Sequence, residues 1–209
     1  VQILLSITVL GYALRTLTGF IVAGQFRKLL GRGRMERELA HLKDHYIVCG
    51  YGRMGRIVLE ALGAEKQPCV VVTLDEDAVE DLLDAGHHAV HGDATDDDVL
   101  LNAGVRRAKA LVAVVNNDVG NLYITLSARQ LTARENPGLY ILARAADDKA
   151  MTKITAAGAD RALSPYRIGG QRLVQALLRP TVFDYSEVLN QAGDKSLLLE
   201  ELKVGADCG

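Results

Sequence analysis

Three glycines near residue 50 have the spacing of a phosphate-binding turn. The apolar run 46–49 predicts a strand, and Gly50, Gly52 and Gly55 lead from it into a predicted helix. In nucleotide-binding folds the first glycine permits a tight turn, the second lets the backbone approach phosphate, and the third allows close helix packing. Amides at the helix start, together with the helix dipole, then hold the anion. The candidate nucleotide contacts are Gly50, Tyr51, Gly52, Arg53, Met54 and Gly55.

The end of the second predicted strand is the place for a ribose contact. In dinucleotide-binding folds an acid near this point bonds the ribose hydroxyls. Here Thr73 occupies the strand end, and Asp75 follows two residues later, on the same side if the strand continues. Both are candidate contacts. Without a firm acid at the strand end, the residues leave NAD, NADH, ATP, ADP and AMP open as ligands.

The third predicted strand ends in a polar stretch, His91-Gly-Asp-Ala-Thr95. Because ligands of such folds bind at the carboxyl ends of the strands, Asp93, Ala94 and Thr95 are candidate contacts. We expect Asp93 to contact the nucleotide base. Thr95 and Asp98 have the spacing of a capping box, so the acids 96–98 are assigned to stabilising the next helix.

Polar residues also follow the fourth and fifth predicted strands. Asn116, Asn117 and Asp118 end the fourth strand and are expected to face the same crevice, with Asn116 as the candidate contact. Arg144 ends the fifth strand. Its guanidinium can reach phosphate oxygens bidentately or pair with a surface carboxylate, and the sequence favours neither.

The elements that position these residues alternate between strand and helix. Strands that are apolar throughout and separated by helices indicate a parallel sheet covered on both faces. The fold class is therefore α/β, a doubly wound, Rossmann-like parallel sheet. The predicted strands are 46–49, 69–73, 89–91, 110–115, 140–143 and 161–163, and the helices are 54–62, 76–85, 96–103, 119–132, 149–157 and 166–178, with a further helix at 183–190 and a strand at 197–204.

The chain begins with an apolar run, residues 1–24, whose only charge is Arg15. As a helix it would rise about 36 Å, enough to cross a hydrocarbon core of roughly 30 Å. Six Lys and Arg residues follow within residues 27–43, and this excess places the downstream domain on the cytoplasmic side. The sequence thus predicts a transmembrane helix and a basic linker before the nucleotide-binding fold, in a chain truncated at both ends.

Composition argues against several classes of protein. The net charge is −2, and residues 1–44 carry +4 of it, so the remainder is acidic at −6. Such a body lacks the basic footprint of a nucleic-acid-binding protein.

Cys49 and Cys69 lie in apolar strand patterns and predict buried free thiols. No nucleophile–base spacing or metal-ligand pattern is present in the sequence, and the five histidines are expected to be solvated or structural. We predict no catalytic residue and no metal ligand, hence binding without chemistry.

Four blocks of the sequence resemble one family. LKDHYIVCGYGRMG at 42–55, VHGDAT at 90–95, NNDVGN at 116–121 and ILAR at 141–144 are similar to the RCK (regulator of K⁺ conductance) domains of prokaryotic ligand-gated potassium channels and Trk-type potassium uptake systems. The resemblance covers nearly the whole chain. It departs at Thr73, where many relatives carry an acid.

The resemblance implies a domain order. Residues 1–25 would end the pore-lining inner helix, 26–44 form the cytoplasmic linker and 45–165 the nucleotide-binding N-lobe. Residues 166–190 would be the crossover helix region, and 191–209 the start of a truncated C-lobe.

The resemblance also implies a homotetramer with a gating ring of such domains in the cytoplasm, attached to a pore in the cell inner membrane. The pore would conduct K⁺, residues 1–24 would contact membrane lipid, and a regulatory NAD, NADH, ATP, ADP or AMP would bind the glycine turn. Members of the family also bind Ca²⁺ or Na⁺, for which no residue here is assigned. Two alternatives stay open: the regulatory domain of a cation/proton antiporter or Trk-type uptake system, and a membrane-anchored NAD-dependent oxidoreductase.

Overall fold

The computed structural model of the protein describes Leu39 and residues 41–180. They fall into two compact units, divided between Leu163 and Ser164. The predicted membrane run, most of the linker, and the predicted elements at 183–190 and 197–204 lie outside the described residues. Within the described part of the chain, no helix has the length and apolar character needed to span a membrane.

The first unit alternates strands and helices as predicted, which confirms the doubly wound α/β class. No bound differs from its prediction by more than two residues. The elements are β1 Tyr46–Cys49, α1 Arg53–Ala64, β2 Cys69–Thr73, α2 Glu76–Asp84, β3 His88–His91, α3 Asp97–Asn102, a 3₁₀ turn Val105–Arg107, β4 Ala110–Ala113, α4 Asp118–Thr132, β5 Tyr140–Arg144, α5 Asp148–Ala156 and β6 Arg161–Leu163. The second unit begins with α6, Pro165–Leu178, whose N-cap is Ser164.

The six strands form one parallel sheet in the order β3-β2-β1-β4-β5-β6. In the centre of the sheet, Val48 pairs with Val71 on one side and with Val112 on the other. The direction of strand succession reverses at β1 and β4, which places the glycine turn after β1 at the topological switch point. Ligands of open α/β sheets bind at that point, outside the carboxyl ends of the strands.

Alternate residues of the central strands enter two separate cores. Ile47 and Cys49 point to one face, where Leu100, Ile124 and Ile154 bring in α3, α4 and α5. On the other face, Val48 packs with residues of α1 and α2, among them Leu59 and Leu82. Because side chains alternate along a strand, an apolar strand supplies both cores at once. Each fully buried Val or Ile side chain contributes about 1.5–3 kcal/mol.

The two strand cysteines are buried free thiols, as predicted. Burial raises the pKa of both, to about 12 for Cys69. A thiol held protonated in this way is a poor nucleophile.

The predicted capping box at Thr95 was wrong. The N-cap of α3 is Asp96, which makes no side-chain capping bond. The Thr95 hydroxyl instead donates to Asp93 Oδ1 at 2.8 Å, and the Thr95 amide donates to the same oxygen at 2.9 Å. Thr95 therefore forms a local turn with the Asp93 side chain in place of a helix cap. Asp and Thr side chains commonly make such local bonds to nearby groups. The first turn of α3 does carry Asp97 and Asp98, as the electrostatic argument expected.

β4 is two residues shorter than predicted, ending at Ala113 rather than at residue 115. The reason is that Asn121 bonds to both backbone groups of Val115: its Oδ1 accepts from the Val115 amide at 2.9 Å, and its Nδ2 donates to the Val115 carbonyl at 3.1 Å. A side chain therefore takes over pairing that a longer strand would have supplied.

Candidate nucleotide site

The turn after β1 has a backbone that only glycine adopts easily. Gly50 has φ of 104°, in the region that favours glycine, and a Cβ there would lie 3.1 Å from atoms of Val115. Its amide donates to the Val72 carbonyl at 2.8 Å, which ties the turn to the end of β2. The first glycine of the motif thus makes the tight turn that its spacing predicted.

Gly55 brings α1 against the end of β1. A Cβ at this buried position would overlap the carbonyl oxygen of Gly50. Since that oxygen is backbone, it cannot move away as the end of a flexible side chain could. The third glycine therefore permits close helix–strand packing, the role that the motif assigns to it.

Gly52 is the N-cap of α1 and makes no side-chain capping bond. The first amides of an α-helix have no partner within the helix. A Cβ at Gly52 would meet only the Asn116 side chain among the described residues, its Oδ1 at 3.6 Å and its Nδ2 at 4.0 Å, so the space there is open except towards that side chain. This is the arrangement that binds phosphate in nucleotide-binding folds.

The charge around the start of α1 also favours an anion. The first turns of α2, α3, α4 and α5 each contain at least one acid, whereas the first turn of α1 contains none. Arg53 begins the helix and is exposed. The guanidinium of Arg56 lies 4.4 Å from the centre of the Tyr51 ring, so the turn carries a second cation beside a ring of the motif. Met54 is half-buried against the second core.

At the end of β2, Thr73 and Asp75 are engaged with the backbone. The strand stops at Thr73, so the condition for Asp75 to share its side of the strand is not met. The Asp75 amide donates to Thr73 Oγ1 at 3.3 Å, and Asp75 Oδ1 accepts from the Ala78 amide at 3.1 Å as the N-cap of α2. His91 Nε2 lies 3.1 Å from the Leu74 carbonyl oxygen, a link between β2 and β3 that the sequence did not predict.

After β3, the chain turns through Gly92, whose amide donates to the Thr73 carbonyl at 2.9 Å. Asp93 is exposed and holds the Thr95 turn, while Ala94 is buried in the core. A contact from Asp93 to a nucleotide base stays a prediction.

Of the three polar residues after β4, Asn116 is the one that adjoins the glycine turn. Asn117 Oδ1 accepts from the Gly120 amide at 2.6 Å and caps α4. Asp118 Oδ1 accepts from the Ala146 amide at 3.0 Å, beyond β5. Asn117 and Asp118 are thus engaged with the backbone, and the expectation that all three residues face one crevice stays a prediction.

Arg144 and Asn121 meet at the carbonyl of Val115. Arg144 Nη1 donates to that oxygen at 3.2 Å, and Asn121 Nδ2 donates to both Val115 and the Arg144 carbonyl, the latter at 2.9 Å. Asn121 is fully buried, and the sequence analysis missed its role. An amide at a helix position otherwise apolar was the signal for it. Phosphate binding by Arg144 stays a prediction.

The strand order sets how far apart the candidates lie. β3, with Asp93 beyond its end, is two strands from β1 on one side, and β5, with Arg144, is two strands away on the other. At about 4.8 Å per strand, each lies roughly 10 Å from the glycine turn along the sheet edge. The structure therefore groups the glycine turn with Asn116 and sets Asp93 and Arg144 on opposite flanks.

The fold and this turn define a nucleotide-binding α/β domain of the Rossmann type. More specifically, the chain belongs to the TrkA-N domain family, whose model matches residues 46–165. Within the described residues, no group of three or more His, Cys, Asp or Glu side chains could hold a metal ion.

Curated relatives include potassium channel protein 1 and probable potassium channel protein 2 of Methanocaldococcus jannaschii. Each is 34% identical over 88% of this chain, which spans 55% and 54% of their lengths. The chain thus spans about half the length of these relatives. It is also 31% identical to the putative cation/proton antiporter YbaL of Escherichia coli, over 66% of this chain and 24% of that protein.

Solved structures with the same fold include the TrkA-N domain of the inner membrane protein YbaL from Escherichia coli. It has a TM-score of 0.62 and 30% identity, covering 66% of this chain and 99% of that domain. The GsuK channel bound to NAD has a TM-score of 0.55 and 25% identity over 61% of this chain and 22% of its own. GsuK bound to ADP has a TM-score of 0.57 at 25% identity, over 65% and 35% of the two chains.

Proposed function

We propose that this chain is part of the nucleotide-sensing cytoplasmic regulatory domain of a potassium channel. A nucleotide held at the glycine turn would bias opening of a transmembrane pore. The observation that carries the proposal is the start of α1: a glycine N-cap without a side-chain cap, a first turn without acids, and Arg53 and Arg56 beside it. Of the five α-helices described in the first unit, α1 alone combines these features.

The share of this chain that the potassium channel relatives match supports a channel over other membrane proteins. The two potassium channel relatives match 88% of this chain, whereas residues 46–209 make up less than four fifths of it. Their likeness must therefore extend upstream of β1, towards the predicted membrane run. We infer that residues 1–25 end a pore helix in the inner membrane, that the whole protein is a homotetramer, and that K⁺ is its transported ion.

The ligand class is an adenine nucleotide, either NAD or NADH, or one of ATP, ADP and AMP. GsuK, a channel of the same fold, has been solved with NAD and with ADP. All of these ligands present a phosphate group that suits the amides at the start of α1. The glycine turn and Asn116 would hold that phosphate, with Thr73, Asp75, Asp93, Thr95 and Arg144 as candidate contacts further along the edge.

The function is regulation by binding, with no chemical step. A ligand shifts a two-state equilibrium only through its different affinity for the two states. A tenfold preference for the open state favours opening by about 1.4 kcal/mol for each site occupied. A gating ring with several sites would multiply this effect.

The first experiment is a titration of the chain with NAD, NADH, ATP, ADP and AMP by calorimetry, with a thermal-shift panel beside it. We expect one of the five to bind the wild-type chain and to fail to bind Gly52→Asp. If none of the five binds, or if binding is unaffected in Gly52→Asp, the glycine turn is not the site.

The second experiment measures K⁺ flux by the complete protein in liposomes. Flux that changes with the nucleotide identified by calorimetry, and does not change with it in Gly52→Asp, would support regulation of a channel. Flux that is the same with and without that nucleotide would refute the regulatory role while leaving binding intact.

A second candidate is the regulatory domain of a cation/proton antiporter, which the likeness to YbaL favours. The liposome assay separates the two. A channel passes K⁺ down its gradient at constant pH, whereas an antiporter moves protons in the opposite direction to the cation. A pH-sensitive dye inside the liposomes reports the difference.

A further inference from the structure

We infer that α3 and the 3₁₀ turn after it connect the nucleotide edge of the sheet to the chain that enters β1, and that Arg107 is the residue that fastens the two together. The chain entering β1, Leu39 with residues 41–44, is here named the lead-in segment. The inference rests on the proposed function, because it assigns the route by which an occupied glycine turn would act on the segment before the domain.

Arg107 holds the lead-in segment with its side chain and its backbone. Its Nη2 donates to the Leu39 carbonyl at 3.1 Å, and its Nε donates to the Leu42 carbonyl at 3.4 Å. Its own carbonyl accepts from the Asp44 amide at 3.0 Å. Two of the three bonds are donated by a cation, and such bonds are roughly twice as strong as neutral ones.

The lead-in segment is also packed into the core of the domain. Leu39 is 5% exposed and belongs to the core that holds α3 and α4, and Leu42 packs against the same core. A displacement of the segment would therefore disturb apolar packing as well as break the bonds to Arg107. The lead-in segment is therefore part of the first unit and should move together with it.

His45 joins the end of the lead-in segment to the end of α3. It is fully buried, and its Nε2 lies 2.9 Å from the carbonyl oxygen of Ala103, the C-cap of α3. A carbonyl only accepts, so Nε2 carries the proton and donates. Nδ1 has no hydrogen-bond partner among the described residues. Burial is the main cause that lowers the pKa of His45; Arg107 and His88 also lower it, while the hydrogen bond to Ala103 and the carboxylate of Asp44 act in the opposite direction.

Gly104 allows the 3₁₀ turn to close over this histidine. Its φ is 80°, and a Cβ there would lie 3.0 Å from His45 Cε1 and 3.1 Å from Arg107 Nη2. The turn, the histidine and the arginine therefore form one compact junction. A larger residue at position 104 would push them apart.

The other end of α3 lies at the candidate site. Gly92 and Asp93 precede the helix at the carboxyl edge of the sheet, and Asp93 organises the turn through Thr95. The six residues of α3 span about 9 Å. Leu100, in the middle of α3, is fully buried and anchors the helix in the core. One short element thus reaches from the ligand edge to the junction with the lead-in segment.

β1 also connects the two ends, but it is a poor transmitter of a local shift. Its four residues pair with both β2 and β4 along their whole length, so β1 moves only with the sheet. Among the described residues, α3 has no such backbone pairing to a neighbouring element, and its buried Leu100 packs in the core. Packed helices slide by small amounts over one another, which is a common route for switching.

The test compares Arg107→Ala with Arg106→Ala in the complete protein. Arg106 is the neighbouring arginine of the same 3₁₀ turn, is exposed and pairs with Glu135 at 3.1 Å. Among the described residues it makes no hydrogen bond or ion pair with the lead-in segment, so it controls for loss of a charge. Nucleotide affinity is measured by calorimetry and the response by K⁺ flux with and without the nucleotide that binds. A purely structural role would change stability and leave the response intact.

We expect Arg107→Ala to bind the nucleotide within about twofold of the wild-type affinity, because the mutation is distant from the glycine turn. Its flux ratio, with nucleotide over without, should be about one, while Arg106→Ala keeps the wild-type ratio. Hydrogen exchange adds a readout independent of flux. Nucleotide should change the exchange rate of the Asp44 amide in the wild type and in Arg106→Ala, but not in Arg107→Ala.

Three results are distinguishable. An Arg107→Ala protein that keeps both the flux ratio and the exchange response overturns this inference and leaves the proposed function standing. A wild-type protein that binds no nucleotide, or whose flux ignores it, overturns the proposed function and the inference together. If Arg107→Ala fails to fold, Arg107→Lys replaces it. Lysine keeps the charge but lacks the fixed fork with which arginine reaches two carbonyls. We expect a flux ratio closer to one than that of the wild type, and an unchanged ratio refutes the inference.

Discussion

Two turns occupy matching places in the two halves of the sheet, one between β1 and α1 and the other between β4 and α4. They differ in how the start of the helix is capped. In the second turn, Asn117 caps the helix and Asn121 bonds to both backbone groups of Val115. In the first, the N-cap is Gly52, which has no side chain to offer. The protein caps one turn with its own side chains and leaves the start of α1 without a side-chain cap.

The contrast shows where stability and binding are each supplied. A buried network whose polar groups are all paired stabilises the fold and fixes one conformation. Helix amides without a side-chain cap contribute less to stability, but they remain available to an anion. The two turns therefore differ in their tasks: the β4–α4 turn joins the ends of β4 and β5 through Asn121, and the β1–α1 turn is the candidate receptor.

The largest effect should come from Gly55→Ala, which removes the close packing of the first turn. Its Cβ would overlap the Gly50 carbonyl oxygen, and the helix would have to move away from β1. We expect a loss of about 4 kcal/mol or more in the free energy of unfolding, measured by urea denaturation. The control is Gly63→Ala on the same helix, where nothing lies within 4 Å and the change should be neutral or stabilising. Equal stability of the two variants would contradict this account of the turn.

Gly52→Asp should separate binding from folding. Aspartate is a preferred N-cap, and the φ of −77° at this position suits it, so stability should hold or rise by a few tenths of a kcal/mol. The same carboxylate would occupy the amides and repel a phosphate, so nucleotide affinity should fall at least about 100-fold, or 2.7 kcal/mol. Gly52→Asn is the uncharged match and should lose less affinity. Calorimetry beside thermal unfolding checks both halves, and a variant that binds normally would show that the first turn is not the receptor.

Asn121→Ala should open the second turn. It removes the side-chain partner of the Val115 amide and of the Arg144 carbonyl, both of them partly buried. We expect a loss of about 2 kcal/mol in the free energy of unfolding. Asn102→Ala, at an exposed asparagine, should change stability by less than about 0.5 kcal/mol. If the two asparagine variants unfold at the same urea concentration, the network does not stabilise the turn.

The smallest effect is expected for Asn117→Ala, which removes the cap of α4. Its Oδ1 accepts from the Gly120 amide, and loss of an N-cap costs about 1 kcal/mol. Asn117→Asp retains the acceptor and should unfold like the wild type. Nucleotide affinity should be unchanged in both, because this amide belongs to the closed turn. A fall in affinity would mean that the two turns share the ligand.

The order of strands and helices could be predicted from the local sequence pattern, whereas the hydrogen-bond partners of the polar residues at the strand ends could not. The apolar strands and the glycine spacing predicted the sheet and the motif turn, and even the weak strand Arg161–Leu163 is in place. The capping role predicted for Thr95 was wrong because a threonine hydroxyl has several possible local partners, and here it donates to Asp93.

The sequence by itself determined the alternation of strands and helices, the parallel sheet and the place of the glycine turn, because burial on both faces and backbone freedom at glycine are local properties. Only the tertiary structure decided that Asn121 would bond to the Arg144 carbonyl, that Arg107 would bond to the lead-in segment and that His45 would bond to the Ala103 carbonyl. Those contacts join residues 23 to 68 positions apart in the chain. Their partners are backbone carbonyls, which every residue carries, so no residue type marks them in advance.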